Sequence, residues 1–412
     1  MNDYLSDHSY QAVEQTLQRR LEEKPPIRLQ LLVGPRQVGK TTLLLALEER
    51  YKSRAIYVSA DTPEAGLPSW ADGVWRRALD RTGHDAAILL IDEIQYLPQW
   101  SHWLKARFDE VTRKKIPLHV VVTGSSSLKI GAGAKETMAG RFERLTLTHW
   151  GAADLTKFLG VSGDIAPERI VSHGGYPGAV TYWNDPARWR TYLRDSVIEP
   201  AIGRDILQLE VVRKPALLRQ LFALAVAHPA EILSLEKIAG SLAEKGALET
   251  LAHYMELLSD AFLVAGLQRY AGDEIRRRRS PPKLVVLNNA LLAGSRASSP
   301  PGTQSNPSEW GRWLENACIA FAINAGQEAF YWREEPWEVD AVIRGSWGRW
   351  LLEVKSGDYG IADLRGLAQA VAKFPDFQPI VICDPQKEPA AIAAGFKAVS
   401  WHDYLRDGLR GH

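Results

Sequence analysis

The segment GPRQVGKTT, which begins at Gly34, restricts the fold more than any other feature of the chain. It fits the pattern Gly, four residues, Gly, Lys and Ser or Thr, in which the glycines let backbone amides turn towards a phosphate group. An apolar segment, Ile27 to Val33, precedes it, and a helical pattern, Thr41 to Arg50, follows it. A Gly-rich turn without a ligand is the alternative, but a strand and a helix on either side favour a phosphate loop.

The loop predicts ATP or ADP as the ligand and Mg²⁺ as its cation. Lys40 would bridge the β- and γ-phosphates, and the hydroxyl of Thr41 would bind Mg²⁺. The N-terminus of the following helix would hold phosphate oxygens through its free amides. The predicted nucleotide-binding residues of the loop are Gly34, Pro35, Arg36, Gln37, Val38, Gly39, Lys40, Thr41 and Thr42.

A second apolar segment, ILLIDE, ends in two carboxylates, Asp92 and Glu93. A carboxylate at the end of a buried strand is costly unless it faces a cation or water. Asp92 is therefore expected to organise Mg²⁺, and Glu93 to polarise the water that attacks the γ-phosphate. The alternative is a helix cap with an exposed neighbour.

Two further residues are candidates for the same site. The segment LHVVVTGSS ends in hydroxyls, and Ser125 there could sense the γ-phosphate, because ligands of parallel sheets bind beyond the carboxyl ends of the strands. An ordinary turn explains these hydroxyls equally well. Arg141, in MAGRFERL, could act as an arginine finger or sensor, although a lone arginine is more often solvated.

Length and composition set the class of protein. The 412 residues suggest several domains, and 45% hydrophobic with 24% charged residues is the balance of a globular protein. A net charge of +1 gives no global attraction to nucleic acid or lipid, so such a partner would need a local patch. The chain has two distant cysteines and no run of about 18 apolar residues, which predicts a cytoplasmic location without a membrane partner.

The order of patterns predicts an α/β fold with several parts. Apolar strands alternate with helices up to about residue 150, mostly helices follow, and a helix, helix, helix, strand, strand order then suits a winged helix. The predicted parts are a P-loop ATPase core with a parallel sheet (1–150), a helical lid (151–212), a winged-helix-like domain (213–293), a linker (294–309) and a C-terminal α/β domain (310–412).

Four arginines, Arg276 to Arg279, lie at the predicted wing and could contact phosphates of DNA. The candidate recognition helix carries Glu249, Glu256 and Asp260 and almost no basic residues. This charge pattern favours a role in protein packing over reading of the major groove.

A cluster of carboxylates is predicted near the C-terminus. In EVDAVIRGSWGRWLLEVKSG, alternation places Glu338 with Asp340 on one strand face and Glu353 with Lys355 on the next strand. Carboxylates from adjacent strands could hold Mg²⁺ or Mn²⁺ for phosphodiester cleavage, with Lys355 beside them and Glu315 as a third carboxylate. A surface hairpin with an ordinary Glu and Lys pair is the alternative.

These motifs resemble a large prokaryotic family of AAA-type ATPases with a C-terminal domain of unknown function, related to the archaeal ATPase and STAND groups. The segments that carry the resemblance are GPRQVGKTTLL, ILLIDEIQYLPQW, VVVTGSSS, GRFERLTL, GGYPGAV, SPPKLVVLNNALL, WLENACI, EVDAVI and LLEVKSG. The resemblance implies an ATPase module and a terminal domain similar to PD-(D/E)xK (restriction-endonuclease-like) nucleases, onto which Asp340, Glu353 and Lys355 map. Where the family usually has an aspartate, this chain has Asn288 and Asn289.

Two functions follow as expectations. In the first, an ATPase controls a nuclease-like domain that acts on DNA. In the second, the chain is a nucleotide-dependent switch or scaffold, antitoxin-like or regulatory, with an inactive terminal domain. Self-association or a protein partner is compatible with both.

Overall fold

The computed structural model describes the chain except residues 1–8, 25, 27, 84, 125–137, 208–211, 244–246, 272–279, 297–299, 303–304 and 410–412. The described residues form two compact units, Tyr10–Thr148 and a second that comprises His149–Leu207 and Val212–His412. The first unit holds the phosphate loop, and the second holds the C-terminal carboxylates.

A five-stranded sheet forms the centre of the first unit, and all its strand pairs are parallel. The strand order is β2-β3-β4-β1-β5, so β1 is covered by a strand on each side. This confirms the predicted parallel sheet, but β5 was not predicted, because its sequence FERLT has no continuous apolar run. The strands are β1 (Leu29–Val33), β2 (Ala55–Ser59), β3 (Ala87–Asp92), β4 (Leu118–Gly124) and β5 (Phe142–Thr146).

Helices follow the strands in the order that a parallel sheet requires. Side chains of α3 and α4, among them Trp75, Leu104 and Phe108, share one apolar core with alternate residues of the strands. These helices cover a face of the sheet with apolar side chains, and the functional site is left to the ends of the strands. The helices are α1 (Tyr10–Leu21), α2 (Lys40–Tyr51), α3 (Trp70–Asp80) and α4 (Trp100–Lys114).

The second unit begins with helices, as the sequence predicts after residue 150. The helix that starts at Pro186 continues through two wider, π-type segments, Leu193–Ile198 and Ala201–Ile206. Three further helices and an antiparallel strand pair then follow in the order expected of a winged helix. The elements are α5 (Ala152–Leu159), α6 (Ala166–His173), α7 (Pro186–Tyr192), α8 (Pro215–Ala227), α9 (Leu235–Ser241), α10 (Leu248–Asp260), β6 (Val264–Leu267) and β7 (Lys283–Val286).

A second five-stranded sheet, of order β12-β11-β10-β9-β8, lies in the C-terminal part. Strands β8, β9 and β10 are antiparallel neighbours, whereas β10, β11 and β12 are parallel. The sequence did not predict β8 or β12. The elements are α11 (Asn289–Gly294), α12 (Pro307–Asn324), β8 (Glu328–Glu334), β9 (Trp337–Gly345), β10 (Gly348–Val354), α13 (Arg365–Lys373), β11 (Gln378–Cys383), α14 (Glu388–Ala393), β12 (Lys397–Ser400) and α15 (Trp401–Asp407).

Buried asparagine side chains connect β7 to α12. Asn316, which is fully buried, accepts a hydrogen bond from the amide of Val286 at 2.9 Å and donates to the carbonyl of Val286 at 2.8 Å. Its amide also donates to Asn289 Oδ1 at 2.8 Å. Asn289 in turn donates to the carbonyls of Val171 and Trp313. An aspartate at 289 could not donate to these carbonyls, so an amide is required at this position.

The neighbouring Asn288 joins the GGYPG turn to α11. Its Oδ1 accepts hydrogen bonds from the amides of Gly175 and Ala290, the second of which caps α11. A Cβ on Gly174 would lie 2.0 Å from that oxygen, and Gly174 has a φ of +70°. Two of the sequence signatures therefore form one packed contact, and Asn288 and Asn289 act in packing.

Replacing Asn316 tests this network. In Asn316→Ala, the buried amide and carbonyl of Val286 lose their partner, so we expect a loss of about 3 kcal/mol in the free energy of unfolding. Urea denaturation measures the change. Asn324→Ala, at the partly buried end of the same helix, should cost clearly less, and equal losses would show that the network is not the cause.

Candidate functional site

The phosphate loop turns tightly at the carboxyl end of β1. A Cβ on Gly34 would lie 1.9 Å from the carbonyl oxygen of Leu147, the residue that follows β5. Gly39 has a φ of +94°, a left-handed conformation that glycine adopts without strain. Both glycines are thus required by the path of the backbone. Gly39 immediately precedes α2 and has no side chain, so it cannot cap the free amides of the first helical turn.

The ammonium of Lys40 lies inside this loop. It donates to the carbonyl oxygens of Gly34 at 2.9 Å and Pro35 at 2.6 Å, and the residue is 6% exposed. Val38 is fully buried, whereas Gln37, Thr41 and Thr42 are exposed. The loop therefore presents a positive charge and the N-terminus of a helix, which together suit a phosphate anion.

Asp92 is the centre of a group of hydroxyls at the carboxyl edge of the sheet. Its carboxylate, 2% exposed, accepts hydrogen bonds from Thr41 Oγ1 at 2.6 Å and Tyr57 OH at 3.2 Å. Thr123 Oγ1 donates to the other carboxylate oxygen. The structure thus brings together two predicted Mg²⁺ ligands, Thr41 and Asp92, in direct contact.

Two members of this group were not predicted as site residues. Tyr57 lies in the apolar strand β2, and burial and the charge of Asp92 raise its pKa to about 12. Thr123 ends β4, where the sequence analysis placed a functional hydroxyl but chose Ser125, which lies outside the described residues. A polar residue near the end of an otherwise apolar strand is the signal that identifies both.

Glu93 leaves the line of β3 directly after Asp92, where the strand ends. Its backbone has a φ of +53°, which costs a non-glycine residue roughly 1–2 kcal/mol. Its amide donates to Thr123 Oγ1 at 3.1 Å, and its carboxylate accepts a hydrogen bond from Gln95. The backbone therefore turns at Glu93, and Gln95 holds the Glu93 carboxylate by a hydrogen bond.

Arg141 does not belong to the phosphate loop of its own chain. It precedes β5, and its carbonyl accepts a hydrogen bond from the amide of Leu29, at the start of β1. The phosphate loop follows the opposite end of β1. The guanidinium instead forms a bidentate pair with Asp109, at 2.6 and 3.1 Å, and lowers the pKa of that carboxyl. In this structure the guanidinium is held by Asp109, and the role of Arg141 as an arginine finger or sensor stays a prediction.

In the second unit, an irregularity of β9 positions Asp340. Phe330 pairs with Val342 and Trp332 pairs with Val339, so Asp340 and Ala341 both lie opposite a single residue of β8. The carboxylate of Asp340 accepts a hydrogen bond from the amide of Val354 at 2.8 Å. The strict alternation assumed from the sequence therefore fails at Asp340, yet the carboxylate reaches β10 next to Glu353.

Glu353 and Lys355 form an ion pair at the end of β10, with 2.7 Å between Lys355 Nζ and Glu353 Oε1. Glu353 is 7% exposed, and its Oε2 makes no hydrogen bond to any residue that the structure describes. Burial, and then the charge of Asp340, raise the pKa of Glu353, while Lys355 partly offsets them. The cluster thus contains a buried carboxylate oxygen without a donor.

A residue that sequence reasoning missed, Lys283 on β7, supplies a cation to this cluster. Its ammonium lies 2.6 Å from Glu315 Oε1, 3.6 Å from Glu338 Oε1 and 3.8 Å from Asp340 Oδ1. Burial lowers the pKa of Lys283, but the three carboxylates outweigh it and hold the pKa above its ordinary value. A lysine at the start of the apolar strand KLVV was the available signal.

The predicted metal site is therefore not formed as expected. Within the described parts of the chain, no three His, Cys, Asp or Glu side chains lie in positions that would hold a metal ion. Glu315 directs its carboxylate to Lys283, and Asp340 shares its own between Lys283 and the amide of Val354. The four arginines at 276–279 lie outside the described residues.

Comparison with known families agrees with the first unit. Residues 27–155 match the family model of an AAA domain. Residues 166–299 and 310–404 match two families described as domains of unknown function, DUF8612 and DUF4143. In the described part of the chain, no helix has both the length and the apolar character that a membrane span requires.

Several known proteins are similar to this chain over part of its length. Uncharacterized proteins of Mycobacterium tuberculosis and Mycobacterium bovis are each 28% identical over 349 residues, 82% of this chain and 72% of each relative. The Aeropyrum pernix ORC1 protein, solved in complex with DNA, is 17% identical, with 71% of this chain and 93% of that chain covered and a TM-score of 0.29. The Thermotoga maritima RuvB Holliday junction branch migration motor is 18% identical, with 64% and 93% covered and a TM-score of 0.34. Scores of this size do not establish a common overall fold.

Gly34→Ala tests the geometry of the phosphate loop. Because its Cβ would meet the backbone of Leu147, we expect the loop to shift and affinity for a fluorescent ATP analogue to fall at least tenfold. Gly66→Ala is the matched control, since nothing lies within 4 Å of its Cβ. Unchanged affinity in Gly34→Ala would show that the close approach to Leu147 is not needed for binding.

Proposed function

We propose that this chain binds ATP with Mg²⁺ in the phosphate loop and hydrolyses it. The observation that carries the proposal is the 2.6 Å contact between the hydroxyl of Thr41 and the carboxylate of Asp92, beside the enclosed ammonium of Lys40. The match of residues 27–155 to an AAA domain supports the same function.

Each residue has a defined part in this proposal. Lys40 exchanges its two carbonyl partners for phosphate oxygens, which bind the ammonium more strongly because they are charged. Thr41 and Asp92 would hold Mg²⁺, which neutralises charge on the phosphates. Glu93 polarises the attacking water, and Gln95 orients its carboxylate until the nucleotide is in place. Thr123 and Tyr57 keep the carboxylate of Asp92 in position.

Two substitutions separate binding from turnover. Lys40→Ala should abolish ATP binding, whereas Glu93→Gln should bind ATP normally and lose turnover by at least a hundredfold. Binding is measured by calorimetry and turnover by phosphate release. Glu49→Gln, an exposed glutamate on α2, is the control and should change neither. Normal turnover in Glu93→Gln would remove Glu93 from the catalytic role.

Our second proposal is that the nucleotide state controls a nuclease-like C-terminal domain. What favours it is the order helix, three antiparallel strands, helix and parallel strand from α12 to β11, with Asp340, Glu353 and Lys355 gathered near the start of β9 and the end of β10. Under this proposal, 151–212 is a lid, 213–293 a winged helix, 294–309 a linker and 310–412 the nuclease-like domain, with DNA as the substrate. The competing function is a nucleotide-dependent scaffold with an inactive terminal domain.

Cleavage of DNA distinguishes the two. We expect weak cleavage that depends on Mn²⁺ or Mg²⁺ and is lost in Asp340→Ala and Lys355→Ala, because these residues would hold the cation and stabilise the charge on the phosphate. Both variants should still bind ATP. If the unaltered chain does not cleave DNA with either ion, the scaffold function is the better account.

Arg141 enters the proposal only through a second copy of the chain. An arginine at the edge of the sheet opposite its own phosphate loop could serve the nucleotide of a neighbouring subunit, after release from Asp109. Self-association is therefore part of the proposed function.

A further inference from the structure

Lys283 is the most completely buried charged side chain near the C-terminal cluster, with 1% of the side chain exposed. It is held at the start of β7, where it pairs with Leu267 of β6 and forms a bridge with Ile232. The next strand residues, Leu284 to Val286, are fully buried. The ammonium is therefore carried into the cluster by a fixed backbone and not by a mobile surface side chain.

Oxygen atoms surround this ammonium. Besides the three carboxylates, the backbone carbonyl of Asp340 accepts a hydrogen bond from it at 3.0 Å. Carboxylate and carbonyl oxygens are the ligands that Mg²⁺ and Mn²⁺ also prefer. The distances of 2.6 to 3.8 Å suit an ammonium, whereas a divalent ion requires about 2.0–2.2 Å. The ammonium of Lys283 thus lies among the carboxylates at the distances of hydrogen bonds and ion pairs.

The surroundings of Glu353 also bear on which cation the cluster holds. Glu353 pairs with Lys355 through Oε1, while its Oε2 is buried without a partner among the described residues. Burying a carboxylate oxygen is costly unless a hydrogen-bond donor or a cation lies beside it. The cluster therefore offers a ligand for a further cation, but the ammonium of Lys283, 3.8 Å from Asp340 Oδ1, already compensates a carboxylate that would share that cation.

We propose that Lys283 is the resident cation of the C-terminal cluster, and that Lys283 and a divalent metal exclude one another. Glu315, Asp340 and Glu353 can close on Mg²⁺ or Mn²⁺ only where the ammonium of Lys283 is displaced. This inference deepens the second proposal above and rests on the same cluster. It makes Lys283 a competitor of the metal ion, so the cleavage expected of the unaltered chain requires DNA and metal together to displace the ammonium, and it is weak.

Binding of Mn²⁺ to the full chain tests the proposal. Free Mn²⁺ is followed by electron paramagnetic resonance without nucleotide or DNA, in an Asp92→Asn background that removes the metal ligand of the first unit. With Lys283 intact, we expect no Mn²⁺ binding that depends on Glu353. Lys283→Met, which keeps the length of the side chain but removes its charge, should gain one Mn²⁺ site, and Glu353→Gln in that variant should abolish it.

Matched variants make the result specific. Lys237→Met, at an exposed lysine of α9, should leave Mn²⁺ binding unchanged. Lys283→Gln is the second variant, because its amide can still donate to Glu315 if Lys283→Met does not fold. Circular dichroism confirms folding of each variant.

Two results would overturn the inference. One is binding of Mn²⁺ by the chain with Lys283 intact that Glu353→Gln removes, since metal and ammonium would then coexist. The other is a folded Lys283→Met or Lys283→Gln variant that gains no site. Because metal binding is read without ATP or DNA, neither result can be confused with a failure of ATP hydrolysis or of cleavage.

Discussion

A carboxylate that is removed from water needs donors or cations around it, and both units of this protein are organised by that requirement. In the first unit, the hydroxyls of Thr41, Tyr57 and Thr123 surround Asp92. Neutral donors leave the negative charge of Asp92 in place, so a metal ion can still be attracted. In the second unit, the buried carboxylates face an ammonium, that of Lys283, and part of their charge is already compensated. Neutral hydroxyls meet this requirement in the first unit and favour metal binding, whereas an ammonium meets it in the second unit and opposes metal binding.

The two sheets place these groups in different ways. In the parallel sheet, the carboxyl ends of β1, β3 and β4 meet at one edge, so residues far apart in sequence become neighbours without any special device. In the mixed sheet, the carboxylates come together through an irregular strand and through a lysine from outside the sheet. The first site is therefore a property of its topology, whereas the second depends on where the β6–β7 pair is held. The amide network of Asn316 and Asn289, which binds β7 to α12, contributes to holding it.

Glycines and amides decide how closely the backbone segments approach. Gly34 fits against the carbonyl of Leu147, and Gly174 fits against Asn288, with no room for a Cβ in either place. Asn289 donates to two carbonyls, which an ionised aspartate at this position could not do. The glycine of the phosphate loop is thus required for the path of the backbone around a phosphate. Gly174, Asn288 and Asn289 are required for packing.

The sequence by itself determined the phosphate loop and the parallel sheet, because local spacing and apolar runs specify them. It also indicated that Asp92 and Thr41 share a site, although 51 residues separate them, because a phosphate loop and a carboxylate at the end of a buried strand both call for Mg²⁺. It also indicated the region of Asp340, Glu353 and Lys355. Only the tertiary structure decided that β5 completes the sheet, that Arg141 lies at the far end from its own loop and that Asp340 departs from strand alternation. The place of Lys283 at the start of the apolar strand KLVV marks it as unusual, but its contacts with Glu315 and Asp340 span 32 and 57 residues of chain, and no local pattern records which cation a distant carboxylate meets.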